Sequence, residues 1–536
     1  MTLRKGGSSG PVRRAILVGI AVAGLVLAGL SSGPAFAVHD EAFELDGNID
    51  KASPAGGPEV DWNNDIVGVN ANGFSAAQTS LPSGFSAATA GPDFTTTTKR
   101  GVEVAETGDD STFTTNSKDI LDINAQWRCV HANNVTDKGD LVNTYAVAYV
   151  NAANQLILYF GAEKNDASGT NDLGVWFLQD PTVDCTDTQG GSGTAFTGSH
   201  VVGDILVVSE FSNGGTVATI AAYTWDPTNP AAVNNLVKLG ESGRCDQIDT
   251  LNLDDRLCAI TNTGSQVDPP WKTWDKDTGS LDKIDTQQFY EGAINVSAFN
   301  LNPCISTLLT DTRSSVSTTA TLYDFARREF NVCNSKSGTK FHDLNANGTR
   351  DTGEPGLSGW TINLYQDTGT KGSYDGEAVL KSDVTDSNGD YSFDGLFSGD
   401  YIVCEDLASQ TGWQQSAPTA APTGETLVTN CPGGTKGYAF TMGASDRTGN
   451  DFGNFQQGTI SGTKFKDKND NGAKDTGEFG LSGWKVHVYN SAGTEVTGSP
   501  VTTQNAGNTG AYSINVNPGT YTVCEEITDH TGWVQS

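Results

Sequence analysis

In the C-terminal part of the chain, apolar and polar positions alternate with a period of two. Trp360, Ile362 and Leu364 are separated by polar residues, and so are Trp484, Val486 and Val488. Tyr391-Ser392-Phe393 and Tyr401-Ile402-Val403 are short runs of the same kind, bounded by Gly, Asp and Asn. That is the pattern of half-buried strands joined by turns. Further upstream the runs are more uniformly apolar: Tyr145-Ala146-Val147-Ala148-Tyr149, Leu156-Ile157-Leu158-Tyr159-Phe160, Val175-Trp176-Phe177-Leu178 and Ile205-Leu206-Val207-Val208. Helical periodicity is nearly absent. The pattern predicts an all-β protein, with a large N-terminal β-sandwich (jelly-roll or lectin-like) followed by small Greek-key sandwiches in tandem.

Residues 1–37 stand outside this pattern. Arg4, Lys5, Arg13 and Arg14 precede an apolar run from Ala15 to Leu30, and Ser31–Ala37 ends in a small-x-small site. This reads as a signal peptide cleaved after Ala37, since the run is short for a membrane span. Export changes the reading of the nine cysteines, which become disulfide partners rather than metal thiolates or nucleophiles. The net charge is −32, and loss of the basic leader makes the mature chain more acidic still. Such a field excludes nucleic acid and anionic membranes as partners and attracts divalent cations.

Ser337-Gly338-Thr339-Lys340-Phe341 recurs 124 residues on as Ser461-Gly462-Thr463-Lys464-Phe465. Gly356-Leu357-Ser358-Gly359-Trp360 answers to Gly480-Leu481-Ser482-Gly483-Trp484, Tyr401–Glu405 to Tyr521–Glu525, and Thr411-Gly412-Trp413 to Thr531-Gly532-Trp533. Self-similarity at this length means tandem domains. The expected organisation is a head at 38–334, a first repeat at 335–456 and a truncated second repeat at 457–536. In the first copy Cys404 can pair with Cys431; in the second, Cys524 lacks a counterpart to Cys431. The expectation is a fragment of a longer protein, with any wall or membrane attachment lying beyond Ser536.

Each copy carries the spacing D-x-[DN]-x-[DN]-G-x5-E. The residues are Asp343, Asn345, Asn347, Gly348 and Glu354, then Asp467, Asn469, Asn471, Gly472 and Glu478. Calcium takes six to eight oxygens, and alternate residues of a tight loop can turn theirs inward. Thr349 and Ala473 lend a backbone carbonyl at the seventh place, and Asp351 and Asp475 stand at the ninth. Strands rather than helices flank the loop, so the expected role is structural. The bland alternative is an acidic Asn-Gly turn without metal affinity. Copy one also holds Asp367, Asp375, Glu377 and Asp383, and a possible second calcium site at Asp386, Asn388 and Asp390. The D-x-N-G-D run there is equally a common turn.

The run from Ser337 to Trp360, with Tyr401-x-Val403-Cys404-Glu405 and Asp451-Phe452-Gly453-Asn454 after it, resembles the SdrD B-like repeat. That repeat is a calcium-binding relative of the Cna B-type, prealbumin-like domain of bacterial surface adhesins. The resemblance covers about residues 335–536 and implies a stalk of stacked sandwiches stiffened by Ca2+. Relatives of the fold often carry an isopeptide bond between a first-strand Lys and a last-strand Asn, with a Glu between. Lys340, Glu405 and Asn454 match those places; the alternative is a solvated Lys340 with Cys404–Cys431 as the covalent brace. In the head, Lys118-Asp119-Ile120, Gly174–Phe177, Gly198–Asp204 and Arg313-Ser314-Ser315 loosely resemble heads found before Cna B-type repeats, with no activity attached.

The six head cysteines allow 15 pairings; proximity favours Cys245–Cys258, then Cys129–Cys185 and Cys304–Cys333. No H-E-x-x-H, G-x-S-x-G or phosphate loop occurs. Glu163, Asp166 and Asp204 are conceivable glycosidase acids, and Asp137, Asp140 and Asp204 conceivable metal ligands. Among 64 acids such sets carry little weight. The expected function is therefore not enzymatic. It is a secreted or cell-surface adhesin-like protein whose head binds an extracellular glycan or a matrix or cell-surface protein. A secreted carbohydrate-active enzyme and a non-binding coat component are the rivals.

Overall fold

The computed structural model describes residue 38 and residues 42–536, apart from 51–59, 94–95, 100–101, 106–111, 115, 131–134, 152, 168–171, 186–192, 213–214, 252, 275–280, 302, 444 and 506–508. Chain contacts divide the protein into residues 1–35 and 36–536. The leader and its expected cleavage site after Ala37 lie outside the described residues.

The head pairs two antiparallel sheets. One has five strands in the order Leu257–Thr261, Phe289–Asn295, Leu156–Lys164, Leu141–Val150, Phe85–Pro92. The other has nine, with Thr307–Arg313, Asp172–Leu178 and Ile205–Ser212 side by side within it. Ala146, Leu158 and Phe160 of the first sheet share a core with Val175, Phe177 and Val207 of the second. Each sheet is also covered on its outer face. Tyr145, Tyr159 and Phe289 pack with Phe43, Trp62 and Trp271, while Trp176, Leu206 and Val208 pack with Trp127 and Phe196. Leu156–Lys164 and Asp172–Leu178 are consequently buried at every position. Double coverage explains why these strands read as continuous apolar runs, whereas a one-sided sheet alternates.

Repeat one is a sandwich of a four-stranded and a five-stranded sheet. The first strand, Asn334–His342, lies between Asp390–Leu396 and the last strand, Phe452–Gln456. It runs parallel to the last strand, with Lys340 opposite Phe452 and His342 opposite Asn454. The facing sheet carries Thr361–Gln366, Gly399–Glu405, Gly437–Met442, Glu425–Val428 and the edge strand Val379–Val384. Ile362, Leu364, Val403, Phe393 and Phe452 form the core, the alternating residues the sequence marks. Repeat two reproduces part of this: Gly458–Thr463 pairs with Ala511–Val516, and Lys485–Asn490 with Tyr521–Glu525.

Four disulfides brace the chain: Cys129–Cys185, Cys245–Cys258, Cys304–Cys333 and Cys404–Cys431. Cys524 is free and exposed. The head is also held by a buried ion cluster. Arg313 donates to both oxygens of Asp119 at 2.7 and 3.0 Å and to both of Asp311 at 2.8 and 2.6 Å. All three side chains are fully buried, and Trp176 donates to Asp119 at 3.1 Å. Removing the guanidinium strands two carboxylates out of water, and breaking a buried pair in this way costs about 3–5 kcal/mol. Urea unfolding of Arg313→Met should show a loss of that size in the head transition. A loss below about 1 kcal/mol, the range of exposed pairs, would contradict the assignment.

Candidate functional site

The two calcium-type loops fold alike. Asp343 Oδ1 accepts the N–H groups of Asn345 and Asn347, and Oδ2 accepts Gly348 N–H at 2.7 Å. Asn347 Oδ1 accepts Thr349 N–H at 2.7 Å. The Asn345 and Asn347 amides both donate to Asp351 Oδ2 at 2.8 Å. Glu354 closes the loop by accepting Leu344 N–H at 2.8 Å and Asp351 N–H at 2.9 Å. In the second copy Gly472 N–H reaches Asp467 at 2.8 Å, and Asn469 and Asn471 donate to Asp475. Ala473 N–H reaches Asn471, and Glu478 takes Lys468 N–H and Asp475 N–H. Gly348 and Gly472 both adopt φ +76°, the left-handed bend that favours glycine at the sixth place.

The donor chemistry fits a hard cation. Each loop gathers three carboxylates, two amides and the backbone of Thr349 or Ala473, and among the described residues none of the six carboxylates has a Lys, Arg or His partner. Two amide N–H groups face Asp351, as they do Asp475, where positive charge is wanted. A half-turn of each amide would present oxygen instead. Among the described residues no three His, Cys, Asp or Glu side chains already converge as a ready metal cluster; here the oxygens are held by N–H donors. Asp343 N–H also bonds Asn454 O at 2.8 Å, which ties the loop's start to the last strand.

The Asp386-Ser387-Asn388-Gly389-Asp390 run connects an edge strand of one sheet to a strand of the other. Asp386 Oδ1 accepts the N–H groups of Asn388 and Asp390, and Asp390 accepts the Thr339 hydroxyl. Asp383 is used by Val384 and Ser392 N–H groups. Asp367 is influenced by Glu377, Asp375 and Asp400, and burial raises its pKa. Buried oxygens of Asp367 and Glu377 lack a hydrogen-bond partner.

Lys340, Glu405 and Asn454 meet inside repeat one, all three at most 1% exposed. Lys340 Nζ is 2.6 Å from Glu405 Oε2, donates to Asn454 Oδ1, and lies 4.3 Å from the centre of the Trp360 ring. Burial lowers the Lys340 pKa to about 8 against the opposing pull of Glu405, and burial raises that of Glu405. Glu405 Oε1 and Asn454 Nδ2 have no partner. In repeat two Lys464 Nζ sits 2.5 Å from Glu525 and over Trp484, repeating the first half of the arrangement. A second buried Lys–Glu–Asn group, Lys336 with Glu425 and Asn450, was not legible in the sequence. Its only local signal is a spacing of four, from Lys336 to Lys340 and from Asn450 to Asn454.

In the head, Glu163 and Asp204, two of the conceivable catalytic acids, are held in buried hydrogen-bond networks. Glu163 accepts from Asn143, Tyr145, Trp271 and Thr273 beneath the outer aromatic cover of the five-stranded sheet. Asp204 accepts from Gln179 and Val201 and bonds His200, which stacks on Trp225 beside the nine-stranded sheet. Glu163 lies on the five-stranded sheet and Asp204 immediately before a strand of the nine-stranded one, and both are buried. Asp140 bonds Asn165, Asp166 acts on Lys164, and the Asp137 side chain lies outside the described residues.

The SdrD B-like domain family matches residues 338–453. Colossin-B of Dictyostelium discoideum is 41% identical over 63 residues, 12% of this chain and 2% of that protein. Serine-aspartate repeat-containing protein D of Staphylococcus aureus (strain Newman) is 29% identical over 154 residues, 28% of this chain and 11% of that protein. The chain thus spans only a small part of the length of these relatives. Among solved structures, shaft pilin SpaA from Lactobacillus rhamnosus GG (D295N mutant) is 17% identical, covering 36% of this chain and 87% of the pilin at a TM-score of 0.17. The Bacillus anthracis TIE protein is 14% identical, covering 75% and 70% at a TM-score of 0.19. Residues 338–453 of this chain therefore match the SdrD B-like domain family.

Proposed function

We propose that the protein is an extracellular display protein. Its head, residues 38–334, recognises a glycan or a matrix or cell-surface protein, and its repeats form a stalk stiffened by calcium. The observation that carries this reading is the pair of equivalent loops, each with three carboxylates and, among the described residues, no cationic partner. Asp343, Asn345, Asn347, Thr349, Asp351 and Glu354 would hold one Ca2+. Asp467, Asn469, Asn471, Ala473, Asp475 and Glu478 would hold another, and Asp386, Asn388 and Asp390 are the candidate ligands of a further one. Bound calcium supplies positive charge that neutralises the loop carboxylates. Asp343 then remains bonded to the last strand while Glu354 spans the loop, so the first and last strands resist separation at that end.

The same reading includes a covalent brace. Lys340, as the neutral amine, attacks the carboxamide carbon of Asn454; the new C–N bond joins the two strands and ammonia leaves. Glu405 takes the amine proton and returns one to the departing nitrogen. The lowered pKa of Lys340 and the raised pKa of Glu405 favour that neutral pair. Recognition without turnover in the head agrees with the commitment of Glu163 and Asp204 to buried hydrogen bonds.

Three outcomes test these points. Calorimetry of the whole chain in millimolar calcium should place the repeat transition several degrees above its value in EDTA, because a ligand of the folded state stabilises by mass action. Asp343→Ala with Glu354→Ala should remove most of the shift in repeat one, and an unchanged melting curve would remove the calcium assignment. Peptide mapping and intact mass should show one ammonia lost at this site in the wild type and none at it in Glu405→Gln; full retention of ammonia in the wild type would rule out the Lys340–Asn454 bond. On glycan and matrix-protein arrays the chain should bind a ligand and leave it chemically unchanged. Turnover of that ligand, lost on replacing one acidic residue of the head, would instead make the protein an enzyme.

A further inference from the structure

Lys336 enters the repeat-one sandwich four residues before Lys340, a spacing that keeps both side chains on one face of the first strand. It is fully buried. Its Nζ is 2.9 Å from Glu425 Oε1 and 4.6 Å from the centre of the Phe440 ring. The other oxygen of Glu425 accepts Asn450 Nδ2–H at 2.7 Å. Asn450 is fully buried as well, and its Oδ1 has no hydrogen-bond partner. Arg447 approaches Glu425 Oε1 at 3.7 Å from the half-exposed rim.

This repeats, residue type for residue type, the group around Lys340. The lysine comes from the first strand, and the asparagine lies four residues ahead of its counterpart Asn454. The glutamate comes from the facing sheet, and an aromatic ring lies beneath the ammonium. Gly338, midway between the two lysines, makes the close approach possible. A Cβ there would fall 2.1 Å from the Asn450 carbonyl oxygen, so no other residue fits without displacing backbone. Tyr391 fixes that carbonyl with a hydrogen bond of 2.7 Å. Among the described residues, a buried lysine hydrogen-bonded to one carboxylate, which it shares with a buried amide whose oxygen is orphaned, is an expensive way to fill a core.

We propose that Lys336 and Asn450 form a second intramolecular amide bond in this repeat. The Lys336 amine attacks the Asn450 side-chain carbonyl carbon, a C–N bond forms, and the carboxamide nitrogen leaves as ammonia. Glu425 already touches both nitrogens; it accepts the proton lost by the amine and delivers one to the leaving group. Burial lowers the Lys336 pKa and eases loss of the proton. This inference rests on the same chemistry as the Lys340–Asn454 bond but on different residues, so either bond can fail alone. It belongs to the first copy specifically, because repeat two has Ile460 in the place of Lys336.

Peptide mapping of the oxidised full chain by tandem mass spectrometry separates the outcomes. The expected result is a branched peptide joining Lys336 to Asn450, and an intact mass lower by two ammonia when the Lys340–Asn454 bond is also present. Glu425→Gln should restore one ammonia and abolish only the Lys336 branch, whereas Glu405→Gln should affect only the Lys340 branch. A branch at Lys336 without one at Lys340 would support this bond and sink the other. Unbranched Lys336 and Asn450 peptides in the wild-type chain would overturn the proposal and leave an ion pair there; that reading needs no variant to fold.

Discussion

The repeat is organised around an ammonium group that has left water. Lys340 sits in the sandwich between the carboxylate of Glu405 and the amide of Asn454, with Trp360 beneath it. Unpaired, such a charge would be prohibitive in an apolar core; paired, its stability depends on close geometry. The first strand, the last strand and the facing sheet must therefore meet at one place, which fixes their register. Phe452 opposite Lys340 and Gly453 opposite Phe341 follow from it, and so does the bond from the last strand to Asp343 at the head of the calcium-type loop. The Lys340 group and the calcium-type loop are consequently neighbours on the same pair of strands.

The head solves a different problem with the same means. The central strands of its two sheets are covered on both faces, so polar groups on them cannot turn outward to water. Arg313 with Asp119 and Asp311, Glu163 with four donors, and Glu291 bonded by Gly47 N–H and the Trp62 indole are the result. Each ties a strand to a segment distant in sequence. Of the covering aromatics, Trp62 donates to Glu291 and Trp271 to Glu163, while Trp127 and Phe196 pack against the other sheet. The head thus offers a rigid frame on which exposed loops can carry recognition.

The repeat was legible in the sequence wherever its determinants are local. Alternation gave the core residues Ile362 and Leu364, the twelve-residue spacing gave the loop from Asp343 to Glu354, and proximity gave Cys245–Cys258. Lys340, Glu405 and Asn454 were found because a family resemblance marked their places, since no local pattern links residues 114 apart. Lys336, Glu425 and Asn450 lacked such a guide and escaped. In the head, Glu163 and Asp204 looked like available acids because a sequence shows charge but not coverage. Arg313 could not be matched to Asp119, 194 residues away, for the same reason. Ion pairs across a β-sandwich follow strand order, and strand order is a long-range property.

Mechanical unfolding of single molecules tests the central claim, that the first and last strands of repeat one are joined at Lys340 and Asn454. Pulled from its ends under oxidising conditions, the chain should release no length from the segment between those positions, and reduction of the disulfides should not change this. An extension from repeat one that withholds only the segment between Cys404 and Cys431, and yields it on reduction, would contradict it.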